Sequence, residues 1–156
     1  MMSSRQSLRR RAALGYGLAA IAGVMAARDA SGSSAEARDW LSRLAPKFAD
    51  GAAQQGKLAI KAPEIAENGN AVPVTLAVDA EMSEKSYVKA LYLAADGNPN
   101  PGVVSFAFTP LSGKAEVQLR VRLAQTQKLI AVAEMNDGSL HTASHEVKVT
   151  IGGCGG

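Results

Sequence analysis

The stretch "AEVQLRVRL", residues Ala115–Leu123, alternates apolar and polar side chains without a break. Ala115, Val117, Leu119, Val121 and Leu123 fall on one side, and Glu116, Gln118, Arg120 and Arg122 on the other. Successive side chains of a strand point to opposite faces, so a period of two predicts a β-strand with one buried and one solvated face. The same period recurs in "VPVTLAVDA", where Val72, Val74, Leu76, Val78 and Ala80 oppose Thr75 and Asp79. Val104, Phe106 and Phe108 form a third such face, and Val147, Val149 and Ile151 a fourth. Weaker runs at 57–61, 87–95 and 128–135 bring the expected number of strands to about seven.

Turn signals separate these runs: Asn68-Gly69, "DGNPNPG" from Asp96, Ser112-Gly113 and Asp137-Gly138. Asp-Gly between two strands predicts a hairpin. No helical pattern intervenes between the strands, so the expected class is all-β. The architecture it implies is an immunoglobulin-like sandwich of two antiparallel sheets, with a small barrel as the alternative. The inter-sheet disulfide and core tryptophan of antibody domains have no counterpart, so the likeness is one of architecture. One helix precedes the strands, in "SGSSAEARDWLSRLAPKFADG". Ser33 and Glu36 have capping-box spacing, Ala37, Trp40, Leu41 and Leu44 share a face, and Pro46 closes the helix. Trp40 is expected to anchor it to the body.

The chain has 156 residues, 47% of them apolar and 20% charged, which is enough for one packed domain plus extensions. Its formal charge of +3 suggests nucleic acid until its distribution is considered. Arg5, Arg9, Arg10 and Arg11 lie in the first 27 residues, which contain no acid. The remainder carries 13 Lys and Arg against 14 Asp and Glu, so the basic excess belongs to the leader. The charged "MMSSRQSLRRR" followed by the short apolar "AALGYGLAAIAGVMAA" reads as an export signal cleaved near Ala26 or Ala27. It falls short of the ~20 apolar residues a membrane span needs, so no membrane association is expected after cleavage. Arg10, Arg11 and Leu14 match a twin-arginine signal, whereas Ala13 stands where a bulkier residue is commoner and leaves Sec export open. The expected organisation is therefore a signal at 1–27, a helical extension at 28–56, a β-sandwich at 57–151 and a flexible glycine arm at 152–156.

Few residues carry conventional catalytic chemistry. His141 and His145 lie four apart on one strand, ~13 Å from each other, too far to share a metal without a third element. No metal site is expected; partly buried or interface histidines are. Phosphate-binding glycine loops, a nucleophile elbow and a CxxC pair are all missing from the sequence, and nothing marks a Ser-His-Asp triad. Glu64 and Glu67 read as part of a solvated connection rather than a catalytic pair. Arg120 and Arg122, with Lys114 and Lys128, are either a docking surface or ordinary solubilising charge.

The single cysteine is the exception. Cys154 sits in "GGCGG", with Gly152 and Gly153 before it and Gly155 and Gly156 after it. In an exported chain a lone cysteine cannot form an internal disulfide, and flanking glycines rule out burial in a packed core. Glycine tolerates either sign of φ and adds no bulk, so the segment reads as a thin, flexible tether for a thiol. A free thiol has a pKa near 8.5, and no basic neighbour in sequence lowers it. Activation would have to come from a partner's pocket.

The ending "VKVTIGGCGG", with "AVAEMNDGS", "FTPLSGKAEV" and "PEIAENGN" before it, resembles the SoxY family, sulfur-carrier subunits of the periplasmic Sox thiosulfate-oxidising system. The likeness runs from Ala62 to Gly156. It implies an immunoglobulin-like fold, a heterodimer with a SoxZ subunit and a non-catalytic role. Cys154 matches the residue that carries the substrate sulfur, and Gly152, Gly153, Gly155 and Gly156 match the family's swinging arm. The resemblance implies no intrinsic cofactor: haem, manganese and molybdenum belong to the partner enzymes SoxAX, SoxB and SoxCD. SoxAX couples thiosulfate to the thiol, SoxB releases sulfate, and SoxCD, where present, oxidises the remaining sulfur. Other readings stay open on the residues alone. They are an exported interaction module joined to a partner, or to a second copy, by an intermolecular disulfide at Cys154, and a diglycine carrier activated at Gly156. The latter chemistry needs cytosolic ATP and is opposed by the leader and by the strand pattern.

Overall fold

Apolar alternation sorts the strands into two stacked sheets. A computed structural model describes the chain from Ser31 to Gly152; the leader with Arg10 and Arg11, and Gly153, Cys154, Gly155 and Gly156, lie outside the described residues. A helix, α1 (Ser31–Leu44), precedes eight strands: β1 (Leu58–Lys61), β2 (Ile65–Ala66), β3 (Val72–Val78), β4 (Val88–Ala95), β5 (Gly102–Ala107), β6 (Glu116–Val121), β7 (Gln127–Met135) and β8 (Leu140–Val149). One sheet has the order β1-β3-β6 and the other β2-β8-β7-β4-β5. Apart from the short β2–β8 pair, which is parallel, neighbouring strands run antiparallel. The all-β sandwich with one N-terminal helix is thus the observed architecture.

Between the sheets lies the main core, in which Leu76, Leu91, Leu93, Leu123 and Leu129 are fully buried. The residues that alternation assigned inward are those that meet there. Val72, Val74, Leu76 and Val78 of β3 are buried, as are Ala115, Val121 and Leu123 around β6. Val104, Phe106 and Phe108, on and just after β5, and Val117 and Leu119 of β6 are only partly buried, because β5 and β6 are both edge strands of their sheets. Pro73 is tolerated within β3 because β1 pairs only from Thr75 onward, leaving Pro73 a single strand neighbour. Asp137-Gly138 closes the β7–β8 hairpin, with Gly138 at φ 79° and its N–H donating to the Met135 carbonyl over 2.9 Å.

Four details depart from the sequence expectation. The eighth strand, β2, falls within the loop around Glu64 and Glu67; two residues are too few to show a period. The described helix already includes Ser31 and Gly32, so Ser33 lies inside it. Leu44 is 39% exposed, because the last turn of α1 carries it past the sheet while Ala45 takes the inward position. Ile151 is 67% exposed: pairing ends at Val149, and the chain bends before alternation could bring Ile151 inward.

The outer face of the five-stranded sheet is covered by α1. Ala37, Leu41 and Ala45 pack with Ala94, Val132 and Leu140, with Trp40, Tyr92 and Ile130 at the margin. Trp40 does anchor the helix. Its indole lies flat on Gly102 of the edge strand β5, where a Cβ would run into the ring. The start of the helix is held by Asp96, whose carboxylate accepts from Ser34 Oγ (2.8 Å) and from the Lys128 N–H (2.7 Å).

Both histidines lie on the inward side of β8, opposite Ala133 and Leu129 of β7. His141 is buried, and its Nδ1 and the Nε2 of His145 have no hydrogen-bond partner. Burial, helped by the nearby Lys57 charge and opposed by Asp137, holds the His141 pKa below its usual value.

Two outcomes follow. Replacing Gly102 by Val should cost about 1–3 kcal/mol by overpacking, and should red-shift the fluorescence of Trp40, the only tryptophan, as the indole is pushed into solvent. For His141, the folded state binds its proton less readily than the unfolded chain. Stability should therefore be level above the unfolded value of about 6.5 and decline as pH falls below it, until the folded pKa is reached. Denaturant titrations of His141→Gln should show a flatter profile across that window.

Candidate functional site at the root of the glycine arm

The residues leading to Cys154 follow β8, which pairs with β7 from Leu140 to Val147 along one edge and with β2 at Lys148 and Val149 along the other. Beyond Val149 the chain passes between two segments of the body. On one side is the turn after β2. The Thr150 N–H donates to the Ala66 carbonyl (3.1 Å), Thr150 Oγ1 donates to the Glu67 carbonyl (2.9 Å), and the Gly69 N–H donates to the Ile151 carbonyl (2.8 Å). On the other side is the β6–β7 loop, where Thr126 Oγ1 accepts from the Val149 N–H (2.9 Å). Gly69 also joins the two sides, since its carbonyl accepts from the Leu123 N–H over 2.7 Å. The last described residue, Gly152, rests against the Ala124 carbonyl.

This arrangement gives the thiol's segment a fixed point of departure at the edge of the sandwich. Of the arm residues Gly152 to Gly156, Gly152 alone is within the described chain. Glu64 and Glu67 are exposed, and they serve the site through their backbone: the Glu64 carbonyl accepts from the Lys148 N–H (2.8 Å) and the Glu67 carbonyl from Thr150. Arg120, Arg122 and Lys114 are exposed and belong to or flank β6, whereas exposed Lys128 lies on the other sheet, so the four do not form one patch on one strand. Among the described residues no three His, Cys, Asp or Glu side chains gather as a metal site, and no helix is long and apolar enough to cross a membrane.

Sequence reading registered "DGNPNPG" only as a turn, yet Asn98 within it organises the loop beside the arm. Its Oδ1 accepts from the Ala124 N–H and from Gln127 Nε2, each over 2.9 Å, and its Nδ2 donates to the Arg122 carbonyl over 2.8 Å. Buried Gln127 in turn accepts from the Gly97 N–H (2.7 Å). A buried glutamine on an otherwise apolar strand face was the available signal. A cleft of about 540 Å³ opens elsewhere, between α1 and the outer face of the five-stranded sheet, lined in part by Ser34, Arg38, Asp96, Lys128 and Thr142. None of residues 149–152 lines it.

Comparison with known proteins bears on this geometry. A family model described as "Sulfur oxidation protein SoxY" matches residues 45–154, a stretch that ends on the cysteine. Among solved structures, the sulfur carrier protein SoxY from Chlorobium limicola f thiosulfatophilum matches with a TM-score of 0.59 and 35% identity. That alignment covers 76% of this chain and 99% of the other. Superoxide reductases share the fold alone. The neelaredoxin of Ignicoccus hospitalis matches at 21% identity and a TM-score of 0.54, over 60% of this chain and 80% of that one. The enzyme of Nanoarchaeum equitans matches at 13% identity and a TM-score of 0.51, over 60% and 98%. A comparison with curated protein sequences returned no match. The family match over most of the chain, the 35% identity to a sulfur carrier and the cysteine at the end of the matched stretch lead to one assignment: this chain belongs to the SoxY family of sulfur oxidation proteins.

Proposed function

We propose that the chain carries sulfur intermediates covalently on Cys154 and presents them to the enzymes of thiosulfate oxidation without itself catalysing a step. The observation that carries this reading is the family match running to Cys154, in a sequence that continues from a strand end fastened at the edge of the fold. The chemistry balances as follows. Oxidative coupling joins the thiol to thiosulfate as a Cys–S–S–SO₃⁻ adduct, releasing one proton and passing two electrons to a haem-containing partner. Hydrolysis of the terminal sulfone then yields sulfate, two protons and a Cys–S–S⁻ persulfide. A further partner takes six electrons from that outer sulfur, with three waters supplying the oxygens of a Cys–S–SO₃⁻ group and six protons released, after which a second hydrolysis yields sulfate and one proton and restores the thiol.

Nothing in this cycle requires a base beside the cysteine on its own chain, because each partner's pocket can activate the group that enters it. Gly152, Gly153, Gly155 and Gly156 supply an arm of backbone width that fits such pockets, and the attached intermediate meets each enzyme at a raised effective concentration. The carrier pairs with a SoxZ-like subunit and works in the periplasm, to which a twin-arginine leader containing Arg10 and Arg11 directs it. Intact-mass analysis of protein taken from cells oxidising thiosulfate tests the proposal. Thiosulfate- or persulfide-sized adducts should be present and should vanish in Cys154→Ser. An unmodified thiol during turnover, or a reducible dimer with no sulfur adduct, would contradict it.

A further inference from the structure

Gly152, the first glycine of the arm, meets a contact that the sequence does not show. Gly152 lies so close to the Ala124 carbonyl oxygen that an added Cβ would collide with it, and the obstacle is backbone, which cannot rotate aside as the end of a side chain can. Its φ is outside the left-handed region, so the need for glycine here is one of space and not of dihedral. Nor can Ala124 easily retreat. Asn98 Oδ1 accepts its N–H (2.9 Å), Asn98 Nδ2 holds the Arg122 carbonyl (2.8 Å), and the Leu123 N–H is bonded to Gly69 (2.7 Å). Gly69 completes the ring by donating to the Ile151 carbonyl, and Thr126 by accepting from the Val149 N–H.

We infer that Gly152 is the anchor of the arm and not part of its swing. A collar formed by Gly69, Ala124 and Thr126, braced by Asn98, grips the chain up to Gly152, so the tether to the thiol is counted from there. Gly152 is thus a positioning residue, for which the close approach of the Ala124 carbonyl requires glycine. The free tether from the fixed point to the Cys154 Cα spans two residues, about 7 Å when extended. Counted from Ile151 it would span about 10 Å. The shorter tether confines the thiol to a small region at the sandwich edge and raises its effective concentration at a partner docked there. The functional weight of this inference rests on the carrier reading; the collar itself does not.

Full-length protein, with a nitroxide on its single cysteine for spin-label spectroscopy and with the thiol free for amide hydrogen exchange, gives the test. Gly152→Ala should speed exchange of the Gly69 and Val149 amides by about tenfold or more, as local opening of the collar becomes easier. It should also loosen the label on Cys154. Gly153→Ala should leave those amides at wild-type rates and slow the label. Thr126→Val, which removes only the hydroxyl facing Val149, should speed the Val149 amide and loosen the label; it decides the matter should Gly152→Ala fail to fold. Wild-type exchange or wild-type label mobility in Gly152→Ala, or equal effects of the two alanine variants, would overturn the inference. None of these readouts uses sulfur transfer. Differing glycines with no sulfur ever found on Cys154 would refute the carrier reading alone, and sulfur loading with equivalent glycines would refute the collar alone.

Discussion

Strand β8 is held by β7 along one edge and by β2 along the other close to its end, and the segment that leads toward Cys154 departs from that hold. A group on a glycine tether can be positioned no better than the residue from which the tether starts. Here β7 fixes β8 from Leu140 to Val147, β2 takes over at Lys148 and Val149, and the turn at 66–69 and the loop at 122–126 grip the chain beyond the last pair. The inward face of β8 adds burial to hydrogen bonding, with Val147 fully enclosed in the core. Fully buried backbone pairs and apolar contacts are the last to open in local fluctuations, so the strand end is well suited to serve as a rigid mount.

The rest of the molecule supports that mount. Two sheets enclose the apolar core, and α1 closes the outer face of the wider sheet through Leu41, Ala37 and the Trp40–Gly102 contact. The loops that meet the arm are fixed by a few polar side chains, chiefly Asn98 and Gln127, whose hydrogen bonds replace the sheet pairing that loops lack. Covalent chemistry is thereby separated from architecture. The fold supplies a stable edge, and in the proposed carrier role the sulfur would be held on the residues that follow it.

Much of this was legible in the sequence because alternation and burial are local statements. The inward sets of β3 and β6 could be read from "VPVTLAV" and "AEVQLRV", and Asp137-Gly138 marked its hairpin unaided. The helix and its tryptophan anchor were legible for the same reason. What escaped was fixed by partners distant in sequence. Strand β2 is too short to show a period and exists because β8 lies alongside it. Ile151 continues the apolar pattern but is exposed, since the bend after Val149 obeys the Gly69 hydrogen bond and not the pattern. Gly152 looked like any arm glycine, because a carbonyl from the β6–β7 loop cannot be seen in a one-dimensional string. The GGCGG motif is plain in the sequence, whereas the contacts that hold the chain just before it are visible only in three dimensions.

The central claim is that sulfur from thiosulfate becomes bonded to Cys154. The most direct test supplies the purified carrier and its partner enzymes with thiosulfate labelled in the sulfane position, then digests the protein with trypsin under non-reducing conditions. Cleavage after Lys148 isolates residues 149–156, the one tryptic peptide that contains cysteine. The label should appear in that peptide and leave it on reduction. Label on any other peptide, or none bound while thiosulfate is consumed, would contradict the account.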